Sequence, residues 1–225
     1  AYTGYRLPTL NELYRPFVIF PLVTQANAQL DTEKLRGAEI GLDAQPASAI
    51  TLSATLFWNE LRDAIANVTL GENLRQRRNL DAIEVRGAEL SAAADLGAFD
   101  LRASYAYNDA RVSASGAARA LDGFRPSQSP VHSLSATLGV EPAPDTRLSA
   151  TLRHVGAQYE DDREQNRLPP ATTLDLFAEA PIAGGFSLVA RAENLLDERI
   201  VTRDTGAAID LGTPRTLWLG LRYSG

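Results

Sequence analysis

Two histidines, one run of carboxylates and a knot of arginines are the groups in this sequence whose types could do chemistry. His132 is followed by Ser133, and His154 lies on a neighbouring segment. A nucleophile, its base and an orienting group must touch one another. Neighbours along an extended strand instead point to opposite faces, so both histidines are expected to be structural or to line a polar interior. No His-Glu-x-x-His helix, phosphate-binding glycine loop or metal-ligand cluster is present. The run Glu160-Asp161-Asp162-Arg163-Glu164 offers the several oxygens that calcium needs, but reads first as a solvated loop tip. Arg75, Arg77 and Arg78 put three guanidinium groups on one polar stretch, suited to an anionic ligand or to lipid phosphates. Arg102 and Arg153 are lone cations among polar residues; either they contact a ligand or they pair with carboxylates beside them.

The elements that must position these groups are strands. Ile50, Leu52, Ala54, Leu56 and Trp58 alternate with Thr51, Ser53, Thr55 and Asn59. The same two-residue period runs through Phe99–Tyr107, Leu134–Val140, Leu174–Ala180 and Leu217–Tyr223, the pattern of a strand with one apolar face. Leu-Ser-Ala-Thr-Leu occurs three times, from Leu52, Leu134 and Leu148, and Arg-Gly-Ala-Glu twice, from Arg36 and Arg86. Short connections (45–49, 95–98, 141–145, 182–185) take turns with long polar ones (60–80, 111–129, 160–170, 196–213). Repeated two-faced strands without helices between them predict an antiparallel meander.

Strands of about 10–12 residues, rising about 3.3 Å each and tilted about 40°, span roughly 25–30 Å, the height of an outer-membrane apolar band. Phe99, Phe186 and Tyr223 fall at turn ends; Trp58, Tyr105 and Tyr107 fall toward the long connections, all in phase with the apolar residues. Two aromatic girdles follow from that placement. The opposite face carries Glu39, Asp43, Arg102, Arg153, Glu179, Arg191 and Glu193, as a wet lumen would.

Composition agrees with this. Hydrophobic residues make up 44% and charged residues 22%, because only alternate residues of a barrel strand meet lipid. No apolar run approaches the length of a spanning helix. The net charge of -6 argues against nucleic acid as a partner. With no cysteine there is neither a disulfide nor a thiolate metal site. With no Met and no signal peptide at its start, the sequence is expected to be a fragment or a processed piece; if the protein is exported, its export signal is expected upstream.

Several strings resemble the C-terminal barrel region of TonB-dependent outer-membrane receptors. Tyr5-Arg6-Leu7-Pro8-Thr9-Leu10-Asn11-Glu12-Leu13-Tyr14 is similar to the family's Phe-Arg-Ala-Pro-Thr-Leu-x-Glu-Leu-Tyr stretch. Asn27, Leu30 and Glu33 fall where the family writes Asn-Pro-x-Leu-x-Pro-Glu; Ala28 and Thr32 replace both prolines, which predicts a less rigid loop. Arg86-Gly87-Ala88-Glu89, Glu193-Asn194-Leu195-Leu196-Asp197 and Pro214-Arg215-Thr216 with the alternating tail resemble a strand start, the string before the last loop, and the last strand. The family ends in an aromatic residue read by the barrel-assembly machinery. Here Ser224-Gly225 stand there, so either Tyr223 serves or the end is not the native one.

The resemblance implies an all-β fold: an antiparallel transmembrane barrel of roughly 22 strands around a plug. All of residues 1–225 would belong to the C-terminal portion of that barrel domain, as about nine full strands plus the tail of another near 1–10. It also implies a non-enzymatic receptor in the outer membrane of a Gram-negative bacterium, with outer-membrane lipid and lipopolysaccharide around it. TonB would act through a plug and TonB box upstream. The cargo would be a ferric siderophore, or else cobalamin or an oligosaccharide. No cofactor and no resident metal is expected. An outer-membrane barrel enzyme and a soluble β-sandwich binding module are the rival classes.

Overall fold

The structure is a computed structural model and describes residues 1–206 and 208–224. Ten wall strands form one antiparallel sheet: β1 (Tyr2–Arg6), β2 (Glu33–Ala47), β3 (Ile50–Arg62), β4 (Ala82–Asp95), β5 (Phe99–Ser113), β6 (His132–Ala143), β7 (Thr146–Val155), β8 (Ala171–Ala183), β9 (Phe186–Glu193) and β10 (Thr216–Tyr223). Each pairs with the next in sequence, as the meander predicts, and β1 and β10 are the outer strands of an open sheet. Tight turns lie at one end of the sheet; the connections 7–32, 63–81, 114–131, 156–170 and 194–215 lie at the other. The β8–β9 turn places Gly184 and Gly185 at φ 60° and 77°, a conformation that residues with a Cβ rarely adopt.

Register carries the alternation across the wall. Ile40, Leu56, Ala88 and Tyr107 are partners in one row; Leu138, Ala150, Leu176 and Ala192 are partners in another. On this apolar face Leu42 is 69% exposed and Leu217 70%. A leucine left in water forgoes about 1.5–3 kcal/mol of burial, and no second sheet covers the face among the described residues. Hydrocarbon is the solvent that suits it.

Phe186 and Tyr223 meet at 5.0 Å between ring centroids at the turn end of this face. At the other end His132 joins the upper girdle: its ring lies 5.4 Å from Tyr107, and its Nδ1 is 2.8 Å from the Tyr105 hydroxyl. His154 Nδ1 is 2.8 Å from Thr172 Oγ1. Both histidines share the apolar phase, with Leu134 opposite His154, so their role is structural and they do not line the polar face. Not every aromatic obeys the girdles. Phe57, Phe177 and Trp218 project from the polar face, and Arg191 lies over the Phe177 ring at 5.8 Å.

Above the upper girdle, β2–β5 exchange their faces. Leu61, Ile83 and Val112 are register partners in the polar-face phase. They pack into a small core with Ala64, Val68, Leu80, Ala118 and Leu121 from the connections. In the same upper rows the other phase turns charged, with Arg36 opposite Glu60, Glu60 opposite Glu84, and Glu84 opposite Arg111. The tops of these strands thus obey the rule of a water-soluble domain, apolar side inward. β9 and β10, of eight residues each, lack such an extension.

The repeated Arg-Gly-Ala-Glu string has a steric reason. A Cβ on Gly37 would lie 2.6 Å from the Tyr2 ring, and one on Gly87 would strike both the Phe57 ring and the Tyr107 carbonyl. Each glycine leaves the space that a neighbouring aromatic ring, and at Gly37 also the Asn59 side chain, occupies against the strand.

Candidate functional site

The long connections are tied into one block at the open end of the wall. Connection 7–32 begins with α1 (Leu10–Tyr14), started by a capping box in which the Thr9 side chain accepts from the Glu12 amide and Glu12 accepts from the Thr9 amide. Arg6 donates to Glu12 at 2.9 and 3.1 Å. That pairing, assisted by the Thr9 hydrogen bonds and opposed by partial burial, lowers the Glu12 carboxyl to about 2. Arg6 also bonds Glu33, a buried carboxylate that accepts the Ile65 amide at 2.7 Å. The resembling string around Arg6–Glu12 is therefore a joint fixing where the first connection leaves the wall.

Beyond α1 the chain forms strands Phe17–Ile19 and Leu22–Gln25; connection 63–81 forms Ile65–Gly71 and Leu74–Asn79. Parallel pairing of Leu22–Gln25 with Leu74–Asn79 merges them into one four-stranded sheet. Parallel strands need a long crossover, and here the β2–β3 hairpin supplies it. Connection 156–170 is stapled on by Asp162, whose carboxylate accepts the Thr69 amide at 2.8 Å and hydroxyl at 2.6 Å. Gln128 donates to Glu160 at 3.0 Å and the Arg125 amide to Glu164 at 2.9 Å, which brings in connection 114–131.

Between these connections lies a cavity of about 350 Å³. Phe17 and Phe20 give it apolar walls; Arg75, Arg163 and Arg203 bring three guanidinium groups to it. Glu160 and Asp161 also line it. Asp161 is buried and accepts the amides of Arg163, Gln165 and Asn166, so it holds its own loop in shape. Arg163 donates to the Thr69 carbonyl at 2.8 Å. Arg203 forms an ion pair with Asp210 at 2.8 Å whose Nε–H is not aimed along the contact. Cations beside aromatic walls suit a bulky anion with flat apolar parts. A larger groove, about 710 Å³, runs along the wall among Leu138, Leu148, Leu176 and Leu217, on the surface assigned to lipid.

The five arginines singled out in the sequence go to different places. Only Arg75 reaches the cavity. Arg77 donates to the carbonyls of Asn11 and Arg15 at 2.7 and 2.8 Å, closing the C-terminal end of α1. Arg78 donates to Gln76 at 2.9 Å. Arg102 and Arg153 stand on the polar face of the wall, where Arg153 pairs with Asp175. The 160–164 run is no solvated tip, since Asp161 is 6% exposed. Asp161, Asp162 and Glu164 accept backbone amides and Glu160 accepts the Gln128 side chain, and among the described residues no three acidic or histidine side chains come together to hold a metal. The sequence reading missed Arg163, Arg203, Phe17 and Phe20, which sit at irregular intervals on three different connections.

At the last connection, Asn194 is buried at φ 47°. Its amide donates to Asp175 at 2.8 Å; its side chain donates to the carbonyls of Glu198 and Thr213 at 2.9 and 3.1 Å. The Glu-Asn-Leu-x-Asp string is thus a clasp at the root of residues 194–215. The expectation about the chain end falls on Gly225, outside the described residues.

Comparison with known proteins follows the same lines. Residues 1–195 match the family model described as TonB dependent receptor-like, beta-barrel. No curated protein sequence matches. Among solved structures, the ferric yersiniabactin uptake receptor FyuA from Yersinia pestis is 16% identical with a TM-score of 0.76, over 98% of this chain and 33% of that one. The siderophore receptor PiuA from Acinetobacter baumannii is 18% identical with a TM-score of 0.74, over 88% and 30%. The copper transporter OprC is 20% identical with a TM-score of 0.75, over 98% and 36%. The chain spans about a third of the length of these proteins.

Proposed function

The chain belongs to the TonB-dependent receptor β-barrel family, and on that premise we propose that the complete protein is an outer-membrane receptor importing a ferric siderophore. Residues 1–225 are then the C-terminal portion of its barrel domain. The upstream plug takes the push from TonB on the periplasmic side, and captured cargo passes through the lumen. TonB-dependent receptors and their structural neighbours are receptors and transporters, and the chain is not an enzyme.

The observation that carries the cargo reading is the cavity between the connections, with three guanidinium groups and two phenylalanine rings. A ferric siderophore of the catecholate or carboxylate kind combines net negative charge with bulky organic arms, and both have a counterpart there. Arg102 and Arg153, lower on the polar wall, are second-stage contacts along the exit path. Arg77 and Arg78 shape the block and do not touch cargo.

The test is growth of a strain lacking the gene, with iron supplied only as defined ferric siderophores. Failure on one of them, restored by the complete receptor and not by its Arg75→Gln/Arg203→Gln variant, supports the reading. Normal growth on all of them with loss of cobalamin or oligosaccharide use would transfer the assignment to that cargo.

A further inference from the structure

The exchange of faces at the top of β2–β5 fixes where the lipid boundary falls. Trp58 is the last aromatic of its strand in the apolar phase, and Glu60 and Arg62 follow it in the same phase. Each two-residue step climbs roughly 5 Å along a tilted strand, so these charges occupy the layer where lipid headgroups meet the wall. In that layer the carboxylate of Glu60, its side chain only 9% exposed, accepts from Arg36 and, at 3.2 Å, from Arg62. One anion thus holds two cations, whose side chains remain 49% and 53% exposed. Arg36 also lies 5.8 Å from the centre of the Trp58 ring, which keeps its guanidinium against the girdle. Lys34 and Arg86, 65% and 74% exposed, flank the pair; Lys34 bonds Asp63 at 3.0 Å and Arg86 meets Glu84 at 3.5 Å, so four cations share three carboxylates here.

We propose that Arg36 and Arg62, aligned by Glu60 above Trp58 and flanked by Lys34 and Arg86, form a site on the outer wall for the phosphate groups of lipid A. The inference rests on the outer-membrane reading. The outer leaflet of that membrane presents phosphorylated lipid A at this height, and guanidinium groups held in place match phosphate oxygens in pairs. Glu60 is a positioning residue: it orients both arginines without meeting the lipid.

The complete receptor is reconstituted into phosphatidylcholine vesicles containing either diphosphoryl or dephosphorylated lipid A, re-extracted in mild detergent, and its retained lipid A counted. Enrichment of the diphosphoryl form alone is expected. Arg36→Gln/Arg62→Gln should lower it on the order of tenfold, the loss of two charge-assisted contacts, while Arg119→Gln in connection 114–131 leaves it unchanged. Each variant is first checked for the slower gel migration of a heat-unfolded barrel. If the double variant fails that check, Lys34→Gln/Arg86→Gln replaces it, with a smaller loss expected. Equal retention of the two lipid forms, or equal retention by wild type and variant, overturns the site and leaves the membrane reading standing. A wild-type receptor that folds yet stays outside the vesicles overturns both.

Discussion

Thr69 and Asp162 stand 93 positions apart in the chain, yet one carboxylate accepts both the amide and the hydroxyl of that threonine, at 2.8 and 2.6 Å. This staple makes two connections one body. Asp162→Ala removes both acceptors, and a hydrogen bond to a charged group contributes about 1.5–3 kcal/mol. Amide exchange across residues 65–79 in the complete receptor should accelerate by at least about tenfold, with β6–β8 unaffected. Unchanged exchange would mean that other contacts hold the block.

Arginine replacements should separate cargo from scaffold. Arg75→Gln is expected to weaken binding of the growth-supporting ferric siderophore by roughly tenfold, one charge-assisted contact, without altering exchange in α1. Arg77→Gln should do the reverse, loosening α1 because the carbonyls of Asn11 and Arg15 lose their donor. Calorimetric titration and amide exchange on both variants check this. Identical behaviour would contradict the division of roles.

Glycine 87 should resist replacement where glycine 220 tolerates it. A Cβ at Gly87 meets the Tyr107 backbone carbonyl, which cannot rotate away, whereas nothing lies within 4 Å of one at Gly220. Gly87→Ala is expected to cost about 1–3 kcal/mol of barrel stability and Gly220→Ala close to none, read as unfolding midpoints of the receptor in detergent.

Acid should release the first connection before it harms the wall. Folding holds the Glu12 carboxyl near 2, below its ordinary 4.5, chiefly through the Arg6 hydrogen bonds. A depressed folded-state pKa contributes stability fully present above about 4.5 and lost as pH falls toward about 2. Exchange in α1, corrected for intrinsic rates, should therefore rise across that window, and Glu12→Gln should abolish the dependence. A variant with the same pH profile as wild type would show that Glu12 is not the titrating group.

The wall was legible because its signal is repeated. Leu52, Ala54 and Leu56 announce a face, and the alternation of tight turns with long connections announces the sheet order. What lay above the girdle was not. Leu61, Ile83 and Val112 continue the same two-residue period, and nothing local says that the meaning of the phase reverses there. Among the arginines, spacing found Arg75, Arg77 and Arg78 but could not divide them, since an α-helix end formed by Asn11 and Arg15 claims one. Arg163 and Arg203 reach the cavity only through the fold of distant connections. The resembling strings around Glu12 and Asn194 were seen as labels; their physical content is two hinge-pins, one at the root of the first connection and one at the last.

The reversal of faces also fixes how deep the wall stands. A slip of one residue in β3 would send Leu52 and Leu56 into the aqueous channel and, higher up, drive Glu60 toward the packed cap. A slide of β2 and β3 together by two residues keeps the faces but drags Arg36 and Arg62 down into oil. Each strand from β2 to β5 is therefore written like a gauge with two scales of opposite sign meeting at a single mark. Only one height in the bilayer satisfies both.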